Sequence, residues 1–367
     1  MKIDRLTIQN FKKFTEQTFD LHPRFTLLVG DNGSGKTSIL EAIGYLASLA
    51  SFRRSPDGAL VRRGADAAIV RGEFSSGPTG ALVEIETPVS GRRRVLLNGK
   101  GNRSRADVAG VVALVAFLPD DLDLVKRGPS YRREYVDDVA AQAWPTAAVE
   151  QTDYERVLRQ RNALLRRDGR RADTETLDVL DEGLSRLGAA VLARRLAIVE
   201  LLAPVVSELY ADLGDHPEDV AWEYLSSGIG RLTGTPTAAE LAPSLHEAVS
   251  AARHADLDRR TTTVGPHRDD IMVSLGGRDA RTRASQGEQR SIALGMRMAS
   301  YSVLTERRGA TPVLLLDDVF SELDADRGRR FVAHLPAGQV FVTSARSEEV
   351  PLVGARWTVA GGKVVPA

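Results

Sequence analysis

Residues 30–37 read Gly-Asp-Asn-Gly-Ser-Gly-Lys-Thr and fill every fixed position of the pattern G-x-x-x-x-G-K-[ST]. The chemistry of that spacing is phosphate capture. Glycine at 30, 33 and 35 lets backbone N–H groups close around phosphate oxygens where a Cβ would collide. Lys36 adds a point charge for the β- and γ-phosphates of a nucleoside triphosphate, and the Thr37 hydroxyl can hold Mg²⁺. Asp31, Asn32, Ser34 and Ser38 complete the run expected to line the phosphates. Far along the chain, the apolar run Val313-Leu314-Leu315-Leu316 ends in Asp317-Asp318. At the C-terminal end of a parallel strand, Asp317 would face Mg²⁺ beside the phosphate loop and Asp318 would orient a water. ATP and Mg²⁺ are therefore the expected cofactors, with Lys36, Asp317 and Asp318 as catalytic candidates and Thr37 and Asp317 as metal candidates.

These residues need particular elements to position them. Phe25-Thr26-Leu27-Leu28-Val29 reads as a buried strand leading into the loop, and Ser38 to Ile43 as the opening of a helix. The first part of the chain is strand-rich: Leu6, Ile8 and Phe11 mark one strand, residues 68–74 and 81–86 alternate as half-buried strands, and Asn98-Gly99 signals a hairpin turn. From about 130 to 255 the pattern is helical. Leu184, Leu187, Val191, Ile198, Leu202, Val205 and Leu209 form an amphipathic stripe, which Pro204 is expected to kink or break. Residues 168–173 and 226–237 read as loops, and no sustained heptads are present. Strands return after 262: Ile271–Leu275 closed by Gly276-Gly277, then Val313–Leu316, then Val340–Val342, and a closing hairpin through Gly361-Gly362. A helix is expected over 287–306.

The reading is an α/β P-loop ATPase head formed by both chain ends, with an inserted helical subdomain. Its expected divisions are 1–125 (N-terminal lobe with the phosphate loop), 126–260 (helical lid) and 261–367 (C-terminal lobe).

Composition narrows the class. The chain has 367 residues, 43% of them hydrophobic, enough for a sizeable core and more than one domain. Net charge is zero, so any contact with nucleic acid must come from local basic patches rather than a global field. Lysine supplies only seven of the 49 basic residues, a bias that reads as genome composition. With no cysteine, disulfides, thiolate metal sites and cysteine catalysis are excluded. The N-terminus enters a strand pattern without a signal peptide and no apolar run is long enough for a bilayer, so a cytoplasmic protein with no membrane partner is expected.

Two further segments matter for their order. Ser285-Gln286-Gly287-Glu288-Gln289-Arg290 opens a helix ahead of the acidic strand, and Ser321-Glu322-Leu323-Asp324 follows it. Each can be a plain helix cap, Ser285 with Glu288 forming a capping box. In this order they resemble the signature motif and D-loop of ABC-type ATPases. With these, the chain resembles the RecF family, SMC-like ABC-type ATPases of bacterial DNA gap repair, over nearly its whole length. The resemblance rests on Asn10-Phe11, Gly30 to Thr37, Leu118-Pro119-Asp120-Asp121-Leu122 with Val125-Lys126 and Arg132-Arg133, Gly265-Pro266-His267-Arg268-Asp269-Asp270, Ser285 to Arg290 and Leu316 to Asp324.

The resemblance implies an ATP-dependent homodimer joined head to tail. Ser285, a further catalytic candidate, would then with Gly287 and Gln289 of the same chain meet the γ-phosphate held by the other. It also implies a weak DNA-stimulated ATPase, a clamp on duplex, gapped or junction DNA, a place in the response to DNA damage, and promotion of RecA loading with RecO and RecR as partners. Four departures stand out. Asp318 replaces the usual glutamate; Gln286 and Glu288 depart from Ser-Gly-Gly-Gln; Asp120 stands in for the Q-loop glutamine; and Thr343-Ser344 occupy the place of the switch histidine. The shorter Asp318 predicts slow turnover, and His267 reads as structural.

Candidate DNA contacts are Arg92, Arg93 and Arg94, then Arg132 and Arg133, then Arg166, Arg167, Arg170 and Arg171. Lys12, Lys13, Arg53 and Arg54 could serve DNA or nucleotide phosphate. The competing reading is an ATP-gated scaffold that recruits repair partners with little direct DNA contact.

Overall fold

Short apolar runs such as Phe25–Val29 and Val313–Asp317 carry no polar alternation, which suits strands covered on both faces. The computed structural model, which describes residues 1–76, 79–101, 103–214, 218–335, 337–350, 352 and 354–366, places both in one largely parallel sheet. In it, Phe25–Val29 lies between Val340–Ser344 and Ala355–Ala360, and Val313–Asp317 lies between Val340–Ser344 and Leu114–Phe117. These contacts are all parallel. Only the edge strand Lys363–Pro366 runs antiparallel, closing the hairpin expected at Gly361-Gly362.

The chain folds as two compact units. The first comprises 1–121, 212–214 and 297–367, and holds this sheet together with a five-stranded antiparallel one. The antiparallel sheet is ordered Phe14–Asp20, Lys2–Phe11, Ala67–Ser76, Thr79–Pro88, Arg94–Leu97. Its last turn uses Asn98 (φ 52°) and Gly99 (φ 74°), the left-handed pair a tight hairpin requires.

The helix Lys36–Ser48 contacts strands of both sheets and is buried along most of its length. Leu40, Ile43 and Leu46 are fully enclosed, each contributing up to about 1.5–3 kcal/mol of burial. Gly72 makes the close approach possible: a Cβ there would lie 2.6 Å from Leu46 Cδ1. The α/β head made from both chain ends is thus borne out.

The second unit, 122–211 and 215–296, carries the helices Pro129–Ala143, Pro145–Asp168 and Ala238–Arg259 and most of Thr174–Gly214. Pro129 and Pro145 sit at first-turn positions, where a missing N–H costs nothing. The unit also has a four-stranded antiparallel sheet ordered Arg278–Asp279, Asp270–Leu275, Val220–Ser226, Gly230–Leu232.

Three expectations change here. Of the kink or break expected at Pro204, the break does not occur, since its helix runs 41 residues through it. The proline is exposed, one backbone bond is lost, and buried Leu202, Val206, Leu209 and Tyr210 hold the chain on either side. Residues 226–237 are not only loop, since Gly230–Leu232 returns along Val220–Ser226. Segment 261–296, expected with the C-terminal lobe, belongs by its pairing to the second unit: Asp270–Leu275 pairs residue for residue with Val220–Leu225. No helix among the described residues is long and apolar enough to cross a membrane.

Candidate nucleotide-binding site

The register of the parallel strands brings the candidate residues to one edge. Asp317 pairs with Thr343, Thr343 with Leu28, and Ser344 with Val29, the residue before the glycine-rich loop. The C-terminal edge of such a sheet is where open α/β folds bind ligands. Gly33 (φ 78°) and Gly35 (φ 120°) supply the left-handed backbone that wraps the loop, and Gly35 caps the helix begun by Lys36. The space is as restrictive as the dihedrals. A Cβ on Gly30 would sit 2.2 Å from the Val359 carbonyl oxygen, and one on Gly35 would sit 2.9 Å from the Phe14 ring.

Lys36 is 7% exposed and folds back on its own loop, donating to the carbonyls of Gly30 and Asp31. Burial lowers its pKa, while Asp318, Asp317 and Asp31 oppose that shift. Asp31, Asn32 and Gly33 are exposed, whereas Ser34, Thr37 and Ser38 are half-buried. Lys13, from the turn after the first strand, donates to the Gly33 carbonyl.

Asp317 is buried at the end of its strand. Its Oδ1 accepts from the Thr37 hydroxyl at 2.9 Å and from the Thr343 hydroxyl at 2.7 Å. The chain then turns through Asp318 in the left-handed region (φ 54°), which aspartate tolerates better than most residues. Asp318 N–H donates to Thr343 Oγ1 at 2.9 Å, and its carbonyl accepts from Ser321 Oγ at 2.8 Å.

A hydroxyl and a carboxylate oxygen 2.9 Å apart are hard donors of the type Mg²⁺ takes. Among the described residues no cluster of three or more carboxylate, histidine or cysteine groups could hold a metal unaided. A cation here would therefore draw its remaining ligands from phosphate and water.

The stand-ins separate in character. Asp120 is exposed in the short turn Pro119–Leu122. Its neighbour Asp121, which the sequence did not single out for a role, is buried against Arg297 at 2.6 Å and accepts from Leu118 N–H at 2.8 Å. Burial raises the Asp121 pKa and Arg297 opposes the shift. Of the two residues at the switch-histidine place, Ser344 donates to the Arg346 carbonyl at 2.9 Å and Thr343 addresses the acidic pair.

Ser285, Gly287 and Gln289 lie in the second unit. Ser285 is exposed and caps the helix Gln286–Arg308: Glu288 N–H donates to Ser285 Oγ at 3.3 Å, and Glu288 Oε2 accepts from Ser285 N–H at 2.6 Å. The Gln289 side chain is committed inside its own unit, donating to the carbonyls of Ala280 and Arg281. Asp324, from the D-loop pattern, caps the helix Ala325–Ala333.

Gly265 to Asp270 form a polar network within the second unit. Arg132 makes a two-pronged pair with Asp270 (2.8 and 2.9 Å), and Arg133 donates to the Asp269 carbonyl. Asp269 itself accepts from Tyr224 and Ser227 N–H. Arg195 bonds Asp137, Tyr224 and the Pro266 carbonyl. Arg132 is 5% exposed and spent inside this network, whereas Arg133 is half-buried and gives it one bond. Among the other clusters Arg93 pairs with Asp57, Arg167 with Asp168 and Arg170 with Asp258. Arg92, Arg94, Arg166 and Arg171 are exposed.

A strand, a glycine-rich loop and a helix facing a strand that ends in two carboxylates, with a capped signature-like helix in the same chain, define an ABC-type ATPase head of the SMC kind. A family model described as the RecF/RecN/SMC N terminal domain matches residues 2–359. The chain is 42% identical to the DNA replication and repair protein RecF of Kineococcus radiotolerans, covering 96% of itself and 94% of that protein. It is 40% identical to RecF of Streptomyces avermitilis, covering 99% of both chains. It belongs to the RecF family of DNA replication and repair proteins.

Among solved structures it matches that of the recombination mediator protein RecF with ATP, in the RecFOR pathway, with TM-score 0.92, 29% identity, and coverage of 100% of this chain and 99% of that one. An Smc head bound to the C-terminal winged-helix domain of ScpA, at TM-score 0.58 and 17% identity, shares the fold.

Proposed function

We propose that the chain is a weak, DNA-stimulated ATPase of replication-gap and recombinational repair, in which ATP binding joins two copies head to tail around DNA and slow hydrolysis releases them. One observation carries the reading: Thr37 of the phosphate loop and Asp317 of the acidic strand, 280 positions apart, meet at 2.9 Å at the sheet edge where the loop begins. The RecF structure with ATP supports ATP as the substrate.

Backbone N–H groups of residues 30–38 and the Lys36 ammonium bind and orient the phosphates. Thr37 and Asp317 would hold Mg²⁺, which supplies charge neutralisation on the phosphates. Asp318 orients the attacking water. Its short side chain reaches less far than a glutamate, in keeping with slow turnover. Asp120 serves as the γ-phosphate sensor. Ser285, with the backbone of Gly287 at the start of its helix, presents an N–H group and a hydroxyl to the γ-phosphate of the other copy, and Gln289, whose N–H donates to the Ser285 carbonyl at 2.9 Å, holds that first turn. Loss of the γ-phosphate removes these charge-assisted bonds and the dimer loosens.

The clamp would hold gapped or junction DNA and promote RecA loading together with RecO and RecR, in the cytoplasm at the nucleoid. The solved relative's place in the RecFOR pathway supports those partners.

The test is anisotropy of a labelled gapped duplex without nucleotide, with ADP, and with ATP and Mg²⁺. Binding that tightens several-fold only with ATP is expected. Equal binding in all three conditions, or none, favours the second reading, an ATP-gated scaffold. Pairing of Arg93, Arg132, Arg167 and Arg170 with acidic side chains is the observation on that side.

A further inference from the structure

We propose that Thr343 is the positioning residue for both acidic groups of the site, fixing the Asp317 carboxylate with its proton and the Asp318 backbone with its lone pair. The proposal rests on the ATPase reading above.

The hydrogen-bond roles follow from chemistry. An ionised carboxylate only accepts, so the Thr343 hydroxyl donates to Asp317 Oδ1 at 2.7 Å. An amide N–H only donates, so the same oxygen accepts from Asp318 at 2.9 Å. One hydroxyl thus grips the side chain of one acid and the main chain of the next. Its placement is firm. Thr343 is 1% exposed, lies directly opposite Asp317 in the parallel ladder, and as a β-branched residue is restricted at χ1.

The grip has two consequences. Asp317 Oδ1 is fixed from two sides, by Thr37 on the loop helix and Thr343 on the neighbouring strand. The left-handed turn at Asp318 is held by Thr343 on its N–H and Ser321 on its carbonyl. Partners behind metal-binding and reacting groups act by orienting them.

The experiment compares full-length wild type, Thr343→Val, which keeps the shape without the hydroxyl, and Thr343→Ser, which keeps the hydroxyl. Binding of a fluorescent ADP and a slowly hydrolysed fluorescent ATP analogue is titrated in EDTA and against Mg²⁺, alongside steady-state hydrolysis. For Thr343→Val we expect EDTA binding close to wild type, with the Mg²⁺ requirement and the hydrolysis rate each worse by about 10-fold or more. Thr343→Ser should restore both to within a few-fold.

A generalised loss of fold would weaken EDTA binding as well and would not be rescued by serine. If the valine protein does not fold, Thr343→Ala carries the same comparison. Wild-type Mg²⁺ requirement and rate in Thr343→Val, or a serine variant as impaired as the valine one, would overturn the proposal alone. Wild-type protein that binds no nucleotide would overturn it together with the ATPase reading.

Discussion

His267 offers a test of how the helical unit is held, and its magnitude follows from its surroundings. Its Nε2 faces the Thr262 carbonyl at 3.1 Å, an atom that can only accept, so Nε2 carries the proton. Nδ1 then accepts from the Tyr154 hydroxyl at 2.6 Å. The imidazole is neutral in this arrangement. Burial disfavours the cation, Arg268 and Arg133 add repulsion, and the Thr262 carbonyl and Asp256 oppose them, leaving a pKa lowered to about 4.

A folded-state value below the unfolded one near 6.5 means that the unfolded chain takes up the proton first as pH falls. The stabilisation is therefore whole above pH 6.5 and is lost between 6.5 and 4. The full swing is about 3 kcal/mol, with about 2 kcal/mol gone by pH 5. Hydrogen exchange of amides in 262–270, compared at pH 7.5 and 5 after correction for intrinsic rates, should show this loss in the wild type. His267→Gln, which cannot titrate, should show much less. NMR titration of the imidazole would read the pKa directly. Titration of His267 near 6.5, or identical pH dependence in the two proteins, would refute the reasoning.

Three other expectations are simpler. Lys36→Arg should abolish the ATP-dependent dimer in sedimentation, because a guanidinium does not fit the buried position from which the ammonium reaches the Gly30 and Asp31 carbonyls; a persisting dimer would contradict the head-to-tail model. Arg161, fully buried between Asp181 and Asp256, leaves two enclosed carboxylates short of a partner when changed to methionine, and urea denaturation should record a loss of about 3–5 kcal/mol. Arg92→Ala with Arg94→Ala should weaken DNA binding and flatten its log–log salt slope by up to about 2, while Arg167→Ala, already paired with Asp168, should change it little.

The candidate nucleotide site was legible where its signal is local. The phosphate loop is eight consecutive residues with a strand before and a helix after, and the acidic strand is a run of four apolar residues ending in carboxylates. What positions them is not local. Thr343 lies 26 residues from Asp317, and Arg297 lies 176 from Asp121, so neither pairing leaves a pattern in the chain. Arg132 and Arg133 looked like surface charge because nothing nearby in sequence announces Asp269 and Asp270, which meet them across more than a hundred residues. Of the kink or break expected at Pro204, the break does not occur, for a related reason. The local cost of one missing backbone bond was readable, but the tertiary burial on both sides that outweighs it was not.

Gly265 to Asp270 show why a chemically rich motif need not be a reactive one. Arginine, histidine and paired aspartates stand within six residues, and every polar side chain among them is engaged inside its own unit. His267 bonds Tyr154 and Thr262, Arg268 bonds the Thr262 carbonyl, Asp269 bonds Tyr224 and Ser227, and Asp270 bonds Arg132. Arg195 adds Asp137 and the Pro266 carbonyl to the same set. Breaking a bond at Arg132, Arg195, Tyr224 or Asp269 leaves a buried charge or polar group unmatched, which disfavours other arrangements of the elements that contribute to the network. Its work is to fix the shape of the unit that also carries Ser285. The Asp317 group differs in one physical respect: it lies at a strand edge beside a loop whose residues 31–33 are exposed, where a ligand can enter and exchange its own atoms for the protein's. Exposure beside an ordered polar group, more than the residues' chemistry, separates the site from the scaffold.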